Sequence, residues 1–136
     1  MPDRINHLAV WVAAVAYFLF GWIWFGLIFG NMWMALQSKT TMSAGAGTYI
    51  GSFILGLILA YATAMALTRR PEDQTMQQGI SFALFMGIAL YATQTLNSAL
   101  YEQRPFALWL IDTAYVVIGF AIIGAIVGAW RKPVAA

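Results

Sequence analysis

Four apolar runs, each about as long as a lipid bilayer is thick, divide the chain and decide most of what it can fold into. A hydrocarbon core of about 30 Å takes about 20 residues of helix to cross. The runs here are read as helices over about residues 6–29, 48–68, 76–101 and 106–130. Water is the wrong solvent for such a chain: 62% of its residues are hydrophobic and 9% are charged, against about 25% charged in ordinary soluble domains. The longest connection, 31–47, is the size of a loop and leaves no room for a separate soluble domain. The expected fold class is therefore an all-α membrane protein, a four-transmembrane-helix bundle forming a single domain over 1–136.

The first run is too long for the apolar part of a secretory signal, because Tyr17 to Phe29 continues past the one small-residue candidate at Ala14 to Ala16. It reads as a retained helix. Trp22, Trp24 and Trp33 gather toward its far end, as interfacial rings do. Asn31 to Gln37 reads as a short helical piece along the surface, and Ser38 to Gly47, rich in Ser, Thr, Ala and Gly, as a mobile loop. Arg69-Arg70-Pro71-Glu72-Asp73 stops the second helix with charge and a proline. Only Glu102-Gln103-Arg104 separates the third from the fourth, with Pro105 placed for the first turn, so these two form a tight antiparallel hairpin.

Short loops rich in Lys and Arg stay in the cytoplasm. Arg4, Arg69, Arg70, Arg131 and Lys132 fall on one side, and Lys39 and Arg104 on the other, so both termini are expected to be cytoplasmic. The same reasoning places the chain as a multi-pass protein of the cell (plasma) membrane, with membrane lipids as its surroundings; that this is a bacterial inner membrane is what the family resemblance given below implies. The basic residues sit singly at helix ends and make no continuous face, so nucleic acid is not an expected partner despite a net charge of +2.

Helices in lipid associate by close backbone approach at small residues. The second span carries Ser52, Gly56, Ala60 and Ala64 at four-residue spacing, the third Gly79, Ala83 and Gly87, the fourth Gly124 and Gly128, and the first Gly26 and Gly30. Together they imply a compact bundle. Which of them face a second subunit is left open, and a homo-oligomer is expected.

Asp112 is the acidic residue placed well inside a span, about 10 Å from the end of the fourth helix. Counting from a turn centred on Gln103, it lies level with Gln94, with Thr93 and Asn97 close by and Tyr115 one turn along. Thr93, Gln94, Asn97, Asp112 and Tyr115 are thus the candidate polar cluster. An intramembrane carboxylate of this kind is either an interhelical hydrogen-bond clamp or part of a ligand or proton site. Glu102 and Arg104 flank the same hairpin, as solvated turn residues or as a charged gate over the cluster. His7, the sole histidine, has no second ligand beside it and reads as structural, as do Trp11, Tyr17 and Tyr61. Cysteine is absent, and there is no phosphate-binding glycine loop, nucleophile elbow or histidine-rich metal box. No catalytic residue, metal or cofactor is expected.

The order of residues is also familiar. Trp24-Phe25, Phe29-Gly30 and Trp33-Met34, then Asn97 with Tyr101-Glu102-Gln103-Arg104-Pro105, then Leu110-Ile111-Asp112-Thr113-Ala114-Tyr115 and the Gly124, Gly128, Trp130 ending resemble the DUF1761 family of small bacterial membrane proteins. The resemblance runs over nearly the whole chain. It implies a four-span fold and brings no reaction, substrate or catalytic residue. The expected function is that of a small oligomeric membrane protein binding or conducting a small solute or lipid through a polar site between the third and fourth helices. The alternative is an accessory subunit whose small-residue faces dock partner helices. An enzyme acting on a lipid or quinone would have to draw acid and base from Asp112, Glu102 and Tyr115.

Overall fold

A computed structural model describes residues 5–36, 46–70, 72 and 74–131. Among them there is no strand. Helix α1 runs His7–Ile28, α2 Gly30–Leu36, α3 Ala46–Leu67, α4 Met76–Glu102 and α5 Phe106–Ala129. Four of the five, all but α2, are long and apolar enough to cross a membrane. This is the all-α bundle expected from the four apolar runs. Their limits follow the sequence closely, and α2 is the short helical piece expected from Asn31, as far as the described residues reach. Helix α3 starts two residues earlier than expected, so Ala46 and Gly47 are helical rather than loop. The rest of the expected loop, residues 38–45 with Lys39, lies outside the described residues, as do Gln37 from the end of the expected short helix, Pro71, Asp73 and, from the charge count, Arg4 and Lys132.

Local chemistry sets the helix ends. The Asn6 side chain caps α1 by accepting from Ala9 N at 3.3 Å, and Thr75 Oγ1 caps α4 by accepting from Gln78 N at 3.1 Å. Helix α4 ends where Gln103 takes the left-handed conformation, φ 56°, letting Arg104 N donate to Ala99 O at 3.0 Å. Pro105 stands one position before the first helical residue of α5 and accepts from Leu108 N and Trp109 N.

Helix α5 is the most buried span and touches each of the other three, as a helix apolar on all sides should. Its closest neighbour is α4. A side chain at Gly79 would overlap the carbonyl of Gly124, one at Gly124 the carbonyl of Gly79, and one at Gly128 the carbonyl of Thr75. These glycines let two backbones touch. The small residues of α3 also face inward, with Gly56, Ala60 and Ala64 buried, while Ser52 is exposed. Gly26 on α1 instead has nothing near it.

At the end carrying Arg69 and Arg131, the connections are tied down by side chains. Gln74 Nε2 donates to Val127 O at 3.1 Å, Arg131 Nε to Gln74 O at 3.0 Å and Asn6 Nδ2 to Arg131 O at 3.3 Å. His7 Nδ1 and the Tyr61 hydroxyl share a hydrogen bond of 2.8 Å, joining α1 to α3 there. The opposite end carries α2 and the α4–α5 turn. It is called the hairpin end below.

Candidate functional site

Two features meet at the hairpin end: a network of polar contacts around Asp112 and the mouth of a long groove.

Asp112 is about a quarter exposed, at 27%. Its Oδ1 accepts from the Trp33 indole N–H at 3.0 Å, and its Oδ2 lies 3.7 Å from Arg104 Nη2. Arg104 Nε in turn lies 3.9 Å from Glu102 Oε1. One carboxylate thus joins α2, the α4–α5 turn and α5. Charged partners strengthen such a contact in a medium of low dielectric. Two more indoles work in the same layer: Trp24 Nε1 donates to Ile111 O at 3.1 Å, and Trp109 Nε1 to Thr95 Oγ1 at 3.0 Å. A buried indole needs an acceptor, and each finds one on a neighbouring helix.

The polar partners differ from those expected by counting. Thr95 meets Trp109, and a side chain at Gly87 would meet Val117 at 3.3 Å. Both pairs are symmetric about residue 102, not 103, so Asp112 lies level with Ala92 rather than Gln94. Helix α4 is also not regular. Gly87–Ala92 winds as wide π turns, which change the direction in which later side chains point. Thr93 is exposed and donates to Ala89 O at 2.7 Å and Leu90 O at 3.3 Å; Thr95 donates to Tyr91 O at 2.8 Å. Both threonines thus serve carbonyls of the widened segment, groups that lipid could not satisfy. Asn97 is exposed. Of the five clustered candidates, Asp112 is the one held in the ionic network with Arg104 and Glu102.

Tyr115 belongs to an aromatic layer. It stacks on Tyr17 at 5.3 Å and on Phe20 at 5.7 Å, and meets Phe25 edge-on at 4.9 Å. Tyr17 is wedged between two glycines: a side chain at Gly119 would overlap its ring, and one at Gly56 would come within 3.1 Å. Those two glycines make room for an aromatic ring, where the α4–α5 glycines make room for backbone.

Gln94 lines the groove. Helices α3 and α4 barely touch, and the space between them, floored by α5 and Tyr17, has a volume of about 660 Å³. That is within the usual range for small-molecule sites. It runs along α4 from Phe82 to Thr95, about 20 Å of helix at 1.5 Å per residue. Met86, Leu90, Leu59 and Phe120 make its walls apolar, and Tyr91 and Gln94 place polar groups toward the hairpin end. Tyr91 is within electrostatic reach of both Asp112 and Arg104, which connects groove and network.

Sequence reasoning missed Trp24, Trp33, Tyr91 and Thr95. The tryptophans look like interfacial anchors, and only the return of α2 over the start of α5 turns Trp33 toward Asp112. Tyr91 and Thr95 depend on the π turns. An outward signal existed only for the indoles, each of which must find an acceptor if covered.

Fold and site together define a four-helix membrane-type bundle with a lateral groove and a clamped hairpin end. Within that class the chain belongs to DUF1761, a family described as protein of unknown function, which it matches over residues 8–128. No curated protein and no solved structure matches it. Residues that carry the family resemblance, Trp24, Trp33, Arg104, Ile111 and Asp112, converge on the hairpin end.

Proposed function

We propose that this protein resides in a bacterial inner membrane with both termini in the cytoplasm and takes a lipid-like molecule from the bilayer into the groove between α3 and α4. The observation that supports this reading is the groove itself: about 660 Å³, apolar along most of its length, with Tyr91 and Gln94 at one end. An amphiphile is the molecule whose own polarity follows that order. Apolar walls favour binding over conduction, since a hydrated solute would lose its water along the walls and find little in return. The reading is of a binding protein rather than an enzyme. In it, the Asp112 network is the clamp that holds the hairpin end of the groove in shape.

The test is photolabelling of the purified protein, in nanodiscs, with lipids carrying a photoreactive group in the acyl chain. Labelled peptides should map to the groove-facing parts of α3 and α4. Ala62→Trp, which places a large ring at an exposed groove position, should abolish that labelling while the protein stays folded. Labelling spread evenly over every lipid-facing helix, and unchanged in the variant, would defeat the reading.

A second reading, an accessory or self-associating subunit, is favoured by a different surface. Gly47 and Gly51 of α3 have open space around them, beside exposed Tyr49, Ile50 and Ile54. A second copy or a partner helix has room to approach there. Cysteine cross-linking from Gly51→Cys in native membranes separates self-contacts from contacts with other chains.

A further inference from the structure

We infer that the molecule held in the groove is a neutral lipid, one whose head is an uncharged hydrogen-bonding oxygen group such as an alcohol or ketone, and that anionic lipids are rejected. This rests on the groove being a lipid site and adds which lipid class it selects.

The argument begins with the polar groups that line the groove. Thr63 Oγ1 donates to Leu59 O, and Thr95 Oγ1 both donates to Tyr91 O and accepts from Trp109. Their hydrogen-bonding capacity is largely used within the protein. The Tyr91 hydroxyl and the Gln94 amide are different: among the described residues neither makes a hydrogen bond. Both lie toward the hairpin end and neither carries a charge. Together they offer donors to an oxygen acceptor and, through the Gln94 carbonyl, an acceptor to a hydroxyl. Groups of this kind facing hydrocarbon are costly unless something pairs with them.

Charge then decides the kind of head. Arg104, which by itself would attract a phosphate or carboxylate, already stands between Glu102 and Asp112. Among the described residues here, two carboxylates stand against one guanidinium, so no cation is left over for an anionic head. Tyr91 lies within electrostatic reach of Asp112 and Arg104, which act on it with opposite signs, so a head bonded to its hydroxyl meets a paired site and not an open cation. An anionic head would give up its hydration for a place that offers it no unpaired cation among the described residues. A neutral head makes the same hydrogen bonds without that cost.

The experiment compares two probes of equal chain length, hexadecanol and palmitate, each with a diazirine in the chain, on the full-length protein in zwitterionic nanodiscs at about pH 9, where the carboxyl is ionised. Mapped labelling of groove peptides should favour the alcohol by about tenfold, equivalent to about 1.4 kcal/mol. Glu102→Gln, at an exposed turn position, should bring the ratio down toward one, and Gln94→Leu should weaken the alcohol more than the acid. Equal labelling by both probes, preference for palmitate, or a ratio unmoved by Glu102→Gln would overturn the inference while leaving the groove a lipid site. Failure of both probes to label the groove would overturn the underlying reading as well.

Discussion

Helix α4 has two long sides that behave in opposite ways. Against α5 it lies so close that Gly79 and Gly124 touch backbone to backbone; against α3 it stands off far enough to leave a cavity. Apolar residues line both sides, so hydrophobicity does not explain the difference. In lipid it could not, because a leucine gains little by exchanging a lipid tail for another leucine. Residue size and backbone shape do. Glycines at 79, 87, 124 and 128 remove the volume that would hold α4 and α5 apart, while the larger Phe82, Met86 and Leu90 line the groove toward α3.

Adding atoms to each side in turn is the strongest way to break this contrast. Gly79→Ala places a methyl where the Gly124 carbonyl stands, and both partners are backbone, so the helices must separate. The expected cost is about 3 kcal/mol, the upper part of the range for overpacking. Ala62→Leu adds more atoms but places them in the groove, and should change stability by about 0.5 kcal/mol or less. Reversible unfolding in mixed micelles measures both. Similar losses from the two substitutions would mean that the groove is not open in the folded protein.

The next effect is smaller and sharpens what closes the hairpin end. Asp112→Ala leaves the Trp33 indole and the Arg104 guanidinium without their shared acceptor, at an expected cost of about 2 kcal/mol. Asp112→Asn keeps an oxygen for Trp33 and should lose about half of that. The Trp33 partnership can be read independently of stability, since loss of the Asp112 acceptor should increase quenching of tryptophan fluorescence by acrylamide. If Asp112→Asn is as damaging as the alanine variant, the charge on Asp112 matters more than the indole hydrogen bond.

Thr113 offers the reverse sign. Its Oγ1 is buried and has no hydrogen-bond partner among the described residues, and by position it faces α4 between the Trp109 and Val117 contacts. Replacing an unpaired hydroxyl with a methyl of similar size removes a buried polar group, so Thr113→Val should stabilise by about 1 kcal/mol. A loss instead would show that the hydroxyl has a partner, such as a bound water or ligand atom.

How much of this was legible beforehand divides along the same line. Four helices, their limits and the α4–α5 hairpin follow from run length, from the short Glu102 to Arg104 connection and from Pro105. The close glycine contacts are foreshadowed by the spacing of Gly79, Ala83 and Gly87. The site was read less well. Singling out Asp112 required only that a charge inside an apolar run needs a partner, while Arg104 stood out as a hairpin residue beside Glu102 and not as that partner. Choosing Gln94, Asn97 and Thr93 as those partners assumed a regular α4 and a turn centred one residue too late. The π turns at Gly87–Ala92 leave no sequence pattern to count. Nor does sequence say that Trp33, distant in the chain, returns over α5.

The smallest predicted effect concerns the turn that sets this register. Gln103 sits at φ 56°, where a Cβ crowds the neighbouring carbonyl and glycine is the usual occupant. Gln103→Gly relieves that crowding, worth about 1 kcal/mol, but also gives the unfolded chain more freedom, which takes back about 0.5 kcal/mol. The net expectation is a gain of about 0.5 kcal/mol. Its value lies in what should stay the same. If the turn only reverses the chain, Arg104 keeps its place beside Asp112, and lipid labelling of the groove is unchanged. If Gln103 also holds Glu102 and Arg104 at their present spacing, the variant will be more stable and yet lose discrimination between neutral and anionic probes. Measuring stability and probe ratio on that one variant therefore separates the tight side of α4, which the turn aligns, from the open side, whose selectivity depends on charges the turn carries.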